Sequence, residues 1–538
     1  DDEDRGDGNS GHAQIDFGGQ WLMGRMVVTG HGRELYHRQR QWEVVRAGFP
    51  VEAEAPCQRS APGAPRPFSP VTLPETTYKH DADNLMGWFM GTDPSQWKAV
   101  GGAASAPLVV PVGGDLLTPL ALQQHAQNTV TPAVRDEVNA PAIGGPLYPP
   151  VHALFYAPIG LFDSPRVAYR VFQAFGFVVL LFTGYGVKFL TRGRVWWSVA
   201  TLGLLLFPGT RAGLDLGQNP TVSLCILVWG WALASRGYWV AGGVVWGLFA
   251  FKPVWALAFF VVPLLMRRWR FCLAMTLTGA LIGLATLPVV GVHSWWDWLR
   301  VGQEAAELYK VNNNWIHLSR DLHGIPRRML HDFEKPEGQR ETPLANALAW
   351  GLWGVVFGGT VLLYLWRDDR GRTTGLSAGF LFLGAFLTCY RFMYYDVLLS
   401  FAAFAIMMAD WRGWLGTTTF ALASAAAPRW PPGEPEPHPP DPFGGRTWGH
   451  VNSFPLTVLV LLYLVENWLS GLEVAATVGV GLFAAPTAEG GAPVTPRLNG
   501  DTGLKYPLDT FLLLALWAWA AWRLATAPEP PELGERAA

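Results

Sequence analysis

Charge is what this chain has little of. Only 15% of its 538 residues are charged, against 50% hydrophobic, and the formal net charge is -2. So little charge does not suit a soluble protein of this length, and the near-neutral balance excludes a polyanion-binding surface as the main theme. No basic run with interleaved aromatics is present, so nucleic acid is not an expected partner. Cysteine is scarce as well. Of 4 cysteines, Cys225, Cys272 and Cys389 lie in apolar stretches and Cys57 stands alone in a polar one, which gives neither a disulfide framework nor a Cys-x-x-Cys metal site. A Gly-x-x-x-x-Gly-Lys loop for nucleotide phosphates is missing, and no Asp-x-Asp motif falls in a segment expected on the cytosolic side.

What is abundant is apolar sequence, with 27 tryptophans and a mean hydropathy of +0.18. Apolar runs occupy 151–162, 167–190, 195–213, 217–235, 238–266, 271–292, 346–366, 374–390, 393–410, 453–484 and 508–526. A spanning helix needs about 20 apolar residues, so the short first run is expected to be re-entrant or interfacial and the others to span. The expected fold class is an all-α polytopic membrane protein, multi-pass in the cytoplasmic membrane. Residues 1–146 form a polar first loop with an insert at about 43–143, and 147–410 a helical core with an external loop at 293–345. A Pro-rich linker over 411–452 and C-terminal helices over 453–538 complete the expected organisation.

The run 238–266 is too long for one untilted helix and carries Lys252-Pro253 at its centre. Proline removes a helical donor and lysine is costly in lipid, so a broken helix or hairpin is expected there. A simple kink with a snorkelling lysine is the plainer reading. Lys188, Arg192, Arg194, Arg236, Arg267, Arg268, Arg270, Arg367, Arg370 and Arg372 recur in alternate loops, which assigns that side to the cytoplasm. The remaining loops then face outward, including the segment before residue 146, the turn at Arg211 to Gln218, the 293–345 loop and Tyr390 to Asp396. This count expects one further helix ahead of the acidic opening Asp1-Asp2-Glu3-Asp4.

Four outward segments carry candidate chemistry. Asp16 opens Asp16-Phe17, followed by Trp21, Gly30 and Leu35-Tyr36, and is a candidate catalytic base; capping a helix is the plainer role. Tyr148 stands in Pro146-Leu147-Tyr148-Pro149-Pro150-Val151-His152, where prolines feed the interfacial helix. Asn312-Asn313-Asn314-Trp315-Ile316-His317-Leu318-Ser319-Arg320-Asp321 offers amides, an imidazole and a guanidinium for sugar hydroxyls and phosphate, or is a solvated loop. Tyr390-Arg391-Phe392-Met393-Tyr394-Tyr395-Asp396 is the fourth, with an aromatic belt and an Arg-Asp pair as its plain reading.

These motifs, with Gly217-Gln218-Asn219, Lys252-Pro253, Pro263-Leu264-Leu265 and Arg267-Arg268-Trp269 in the same order, resemble glycosyltransferase family 87 over about residues 15–36 and 144–410. The resemblance implies a GT-C type helix bundle and transfer of a hexose, mannose in the polyprenol-phosphate-mannose-dependent members, from a polyprenyl-phosphate donor. The resemblance further implies a glycan or glycolipid acceptor outside the membrane and transfer with inversion. Asp16 matches the catalytic aspartate of the family and would take the proton of the acceptor hydroxyl. Phosphate is already a good leaving group, and His317, Arg320, Arg391, Lys252, Asn314 and Tyr148 are the candidates to bind it or the sugar. Beyond lipid-linked donor, acceptor and membrane lipids, no cofactor is called for.

The Asn312 to Trp315 run departs from the family's Asn-x-Ser region. His80-Asp81-Ala82-Asp83-Asn84 has metal-ligand composition without a metal-binding spacing and reads as a polar loop, so no metal residues are assigned. A transporter or lipid flippase with its site at Lys252-Pro253 is the competing class. Such proteins are commonly built from internal repeats, and the apolar runs here show none. A catalytically inert scaffold is the third reading, against which Asp16 speaks.

Overall fold

The computed structural model describes residues 12–37, 40–41, 44, 146–163, 165–311, 313–332, 335, 339–367, 371–409, 454–464 and 507–526. Expectations for Cys57, for the insert with His80 to Asn84, for the linker with Pro428 to Pro442 and for Asn312 fall outside the described residues. The described residues are mostly helical and form no named strand; Ser319 and Met393 make an isolated antiparallel bridge. This is the all-α membrane fold that the apolar runs predict.

In chain order the helices are α1 (His12–Val28), α2 (Pro150–Gly160), α3 (Pro165–Leu190), α4 (Trp197–Leu206), α5 (Thr210–Asp215), α6 (Pro220–Ser235), α7 (Trp239–Gly247), α8 (Pro253–Leu265) and α9 (Trp269–Val290). There follow α10 (His293–Val311), α11 (Asn313–Leu318), α12 (Gly324–Leu330), α13 (Pro343–Arg367), α14 (Leu376–Leu387), α15 (Phe401–Met408), α16 (Phe454–Leu464) and α17 (Leu508–Thr526). Four of them, α3, α9, α13 and α17, are long and apolar enough to cross a membrane. On α9, Leu273, Leu277, Leu281 and Leu284 are exposed at helical spacing, a face suited to lipid rather than water.

Not every apolar run becomes a span. The run at 195–213 yields the 10-residue α4 and the start of the short α5, because Pro208 and Gly209 break it. Gly209 has φ +83°, and a Cβ there would lie 2.4 Å from the Tyr395 carbonyl oxygen, so the turn depends on glycine. The runs at 374–390 and 393–410 give α14, a 3-10 turn at Tyr394–Ser400 and α15, all short. The 293–345 segment carries helices of its own, α10, α11 and α12. Ser294, Asp297, Val301 and Ala305 form the buried face of α10 at steps of three or four residues.

The expected break at Lys252-Pro253 is a hairpin. α7 passes into a 3-10 turn at Leu248–Phe251, Lys252 leaves the helix at φ -138°, ψ 75°, and Pro253 starts α8 at a position where its missing N–H costs nothing. Both arms return to one end, since the Arg268 guanidinium lies 4.3 Å from the Trp239 ring centroid. Trp231, Trp246, Phe271 and Phe382 pack edge-on or stacked around the base of this hairpin.

Hydrogen bonds sort the connecting segments into two ends. At one, Arg194 donates to the Ala409 carbonyl, Arg236 Nη2 to Phe189 at 2.8 Å and Trp231 Nε1 to Thr373 at 2.8 Å. These are the basic loops, gathered as the charge bias predicts. At the other end Ser294 Oγ donates to Arg33 at 3.2 Å, Trp298 Nε1 to Leu147 at 3.0 Å and Trp353 Nε1 to Thr388 at 2.8 Å.

α1 crosses α2 at two glycines. A Cβ on Gly24 would lie 2.1 Å from the Tyr156 carbonyl oxygen, and one on Gly160 would lie 2.3 Å from the Gly24 backbone. Small residues let helix backbones approach this closely in membranes. Gly24→Ala should therefore lower stability by about 1–3 kcal/mol, the usual cost of overpacking. Gly302→Ala, where an added Cβ meets nothing within 4 Å, should leave it unchanged or slightly raised. Thermal unfolding midpoints in detergent would check the pair, and equal midpoints would refute the crossing.

Candidate functional site

At the end away from the basic loops, polar side chains turn inward from several segments. The first contact layer joins α1 to the Gly213 to Pro220 segment. Phe17 packs against Gly217 and meets Tyr169 and Phe172 at 5.4 and 5.5 Å between centroids. Gln20 Nε2 donates to the Gly217 carbonyl at 2.9 Å, and Asn219 Nδ2 donates to Gln20 Oε1 at 3.3 Å. Asp16 occupies the backbone position just before Phe17 and one turn before Gln20; its side chain lies outside the described residues.

Tyr148 belongs to the same seam. Its hydroxyl donates to Gln218 Oε1 at 2.5 Å, and its carbonyl accepts from Tyr36 Oη at 2.5 Å. Pro150 at the first turn sets the direction of α2, which stacks His152 between Tyr148 at 3.9 Å and Tyr156 at 4.4 Å. His152 is fully buried and also meets Phe251, the residue before Lys252, at 5.9 Å.

Lys252 is held at the hairpin tip by an ion pair. Its Nζ lies 2.6 Å from Asp396 Oδ1, with the two side chains 12% and 4% exposed, and 5.7 Å from the Tyr395 ring centroid. The Arg-Asp pair anticipated within Tyr390 to Asp396 is thus replaced by a longer-range one. An ammonium at the tip of an apolar hairpin needs a carboxylate more than the partly exposed Arg391 does.

The Asn-rich segment docks on the same 390–396 turn. Ser319 bridges Met393, and the Arg320 N–H donates to the Phe392 carbonyl at 2.9 Å. Arg320 Nε reaches Asp509 Oδ2 at 2.8 Å, its Nη1 donates to the His317 carbonyl at 3.0 Å, and Thr510 Oγ1 donates to the Arg320 carbonyl at 2.9 Å. Arg328 Nε donates to the Ile316 carbonyl at 2.8 Å and its Nη2 to that of His317 at 3.0 Å. Burial, reinforced by the Arg320 charge and opposed by Asp321 and Asp509, brings Arg328 down to about 9.

A small hollow of about 10 Å³, roughly the room of one water, lies beside this cluster, lined by Tyr309, Ile316, Ser319, Asp321, Gly324, Arg327 and Arg391. Arg391 adopts φ +61°, a left-handed conformation rare for a side-chain-bearing residue. Its Nη2 donates to the Ala306 carbonyl at 2.7 Å, and the guanidinium lies 4.5 Å from the Tyr309 centroid and 4.7 Å from that of Tyr390. Asp321 is engaged by its own loop, accepting from Ser319 Oγ at 2.5 Å and the Gly324 N–H at 2.8 Å. His323 is buried edge-on against Trp350 and Tyr390. Burial pushes it down to about 4, against the opposing pull of Asp321 and with further lowering by Arg327 and Arg391.

Of the residues singled out in the sequence, His317, Arg320 and Arg391 come together, and Lys252 joins them through Asp396. Tyr148 lies in the neighbouring seam and is not among the residues that line the hollow. Asn314 lies on α11, with its side chain outside the described residues. Arg327, Arg328, His323 and Asp509 were missed. The adjacent Arg327 and Arg328 carried a signal, because a buried dibasic pair at the end away from the basic loops runs against the charge bias.

A model of glycosyltransferase family 87 matches residues 147–390. No curated protein and no solved structure matches the chain.

Two outcomes are expected. Lys252→Met strands the Asp396 carboxylate and should cost about 3–5 kcal/mol, much of it recovered in the double variant Lys252→Met, Asp396→Leu. A double-mutant cycle on unfolding midpoints measures this, and additive losses would refute the pairing. The lowered His323 gives a pH dependence of defined sign. The unfolded chain, with an ordinary histidine near 6.5, takes up a proton before the folded one. Stability present above about pH 6.5 should therefore fall as the pH approaches 4, and His323→Gln should flatten that loss; an unchanged slope would refute it.

Proposed function

From the premise that the chain belongs to glycosyltransferase family 87 through residues 147–390 and is a membrane glycosyltransferase, we propose that it transfers a hexose, mannose in our reading, from a polyprenyl-phosphate donor to a glycan or glycolipid acceptor. The site faces outward from a multi-pass chain in the cytoplasmic membrane, with residues 1–146 as the outer loop that carries Asp16 and 147–410 as the catalytic core. The acceptor hydroxyl gives its proton to Asp16 as its oxygen attacks the anomeric carbon from the side opposite the phosphate. The bond from that carbon to the phosphate oxygen breaks, its electron pair stays on phosphate, and the configuration inverts through an oxocarbenium-like state. His317, Arg320, Arg391, Lys252, Asn314 and Tyr148 are the proposed environment of phosphate and sugar.

The observation that carries this reading is the convergence of Arg320, Arg327, Arg328 and Arg391 at the end away from the basic loops. Cations fixed in a site of low dielectric stabilise a leaving phosphate better than cations in water. The transporter reading needs a substrate site at Lys252, whose charge is already matched by Asp396 at 2.6 Å.

Purified protein in lipid, given radiolabelled polyprenyl-phosphate mannose and membrane acceptors, should transfer label. Asp16→Asn should lower the rate by roughly 10²–10⁴-fold, the range for removing a general base. Equal transfer by both proteins would remove Asp16 from its role, and no transfer from any polyprenyl donor would overturn the reaction.

A further inference from the structure

The first half of α10 presents a face that no described residue covers. Val292, at its entry, Trp296 and Leu299 are all exposed at steps of four and three residues, so they share one side of the helix. Trp296 is 61% exposed. Its neighbours are committed inward: Trp295 Nε1 donates to Thr286 Oγ1 at 3.2 Å and Trp298 Nε1 to the Leu147 carbonyl at 3.0 Å. The Trp296 indole has no hydrogen-bond partner among the described residues.

This face continues the lipid-suited side of α9. Gly291, at φ +70°, turns the chain from α9 into α10 at the end away from the basic loops. The exposed apolar side chains therefore reach the level where hydrocarbon gives way to headgroups. Cations accompany them there. Exposed His293 and Arg300 flank Trp296 at steps of three and four, and exposed Arg33 lies against the same turn, its Cγ 3.7 Å from where a Cβ on Gly291 would sit. Neither Arg33 nor Arg300 has an ion-pair partner among the described residues. Acids of this corner are engaged, Glu34 by Arg40 at 3.0 Å and Asp297 by His37 at 3.6 Å. Only in its second half, from Glu304 and Glu307, does α10 become acidic.

We propose that this face of α10, together with Arg33, is a binding surface for anionic phospholipid in the adjoining leaflet. The indole and Leu299 enter the boundary between headgroups and acyl chains, and the two guanidinium groups reach back to lipid phosphate. An aromatic belt alone accounts for Trp296 but not for the unpaired arginines beside it. The contact bears on the cluster described above through the same helix, because the Ala306 carbonyl in the second half of α10 accepts from Arg391 Nη2 at 2.7 Å. Anchoring the first half of α10 to headgroups steadies the carbonyl that holds Arg391. The lipid bound here is a partner of the fold and takes no part in transfer.

The test uses the full-length protein in vesicles of four parts phosphatidylcholine to one part phosphatidylglycerol, free of prenyl lipid, with the photoreactive side chain of p-benzoylphenylalanine placed at Trp296. Adducts are identified by mass spectrometry after illumination. The ratio of phosphatidylglycerol to phosphatidylcholine adducts should exceed the vesicle ratio by about 5–30-fold, the effect of one or two arginines near a membrane surface. High salt should shrink that enrichment. Arg33→Gln combined with Arg300→Gln should return the ratio to that of the vesicle, whereas the paired lysine variants should keep most of it. Both arginines are exposed, so an unchanged unfolding midpoint accompanies the loss. The same probe at Leu277, midway along α9, should report the vesicle ratio throughout.

Absence of lipid adducts at 296 would overturn the surface, and adducts to a second copy of the chain would replace it with a contact between copies. Adducts at the vesicle ratio, or an enrichment that survives the glutamine pair, would overturn the anionic preference and leave an aromatic belt. Transfer is not the readout, so none of these outcomes depends on the reaction proposed above.

Discussion

The ion pair between Lys252 and Asp396 sets the geometry from which the rest of the site follows. A lysine at the tip of an apolar hairpin carries a desolvation penalty of several kcal/mol, which only a well-placed carboxylate offsets. Asp396, 144 residues further on, supplies it. The pair fixes the height of the hairpin tip against the 390–400 segment. On one side Phe251 then receives His152 and the Tyr148 seam; on the other, Met393 bridges Ser319 and orients the arginine cluster.

Charge is scarce in the whole chain, and the cations gathered in this cluster do different work. Arg328 spends its donors on the carbonyls that end α11, so it shapes the segment. Arg320 ties that segment to both the 390–396 turn and α17. Arg391 lies between two tyrosine rings, in a backbone conformation costing about 1–3 kcal/mol that the surrounding contacts must sustain. These roles depend on partners, so residue type alone does not distinguish them.

That dependence explains what could be read from the sequence. The hairpin was legible because Lys252-Pro253 is incompatible with a straight apolar helix, and the basic end because charge bias acts loop by loop. The long helices α3, α9 and α13 followed from run length. The short ones did not: Pro208-Gly209 ends α4 where hydropathy continues, since apolar content does not report how far a helix persists. The helices of the 293–345 segment are hard to read because polar residues dilute the helical spacing of Ser294, Asp297, Val301 and Ala305. Partners such as Asp396 and Asp509 are set by tertiary contacts across more than a hundred residues, and no local pattern marks them.

α17 lies outside the family-matched segment, yet Asp509 at its start neutralises Arg320 and Thr510 caps the Arg320 carbonyl. The chain is made from its N-terminus, and the carboxylate follows its guanidinium by 189 residues. At usual synthesis rates of about 5–20 residues per second, Arg320 waits on the order of tens of seconds for its counter-charge. During that interval the arginine segment lacks its clamp, which arrives only with α17. The order of synthesis therefore leaves a buried guanidinium uncompensated until a helix almost two hundred residues later is in place.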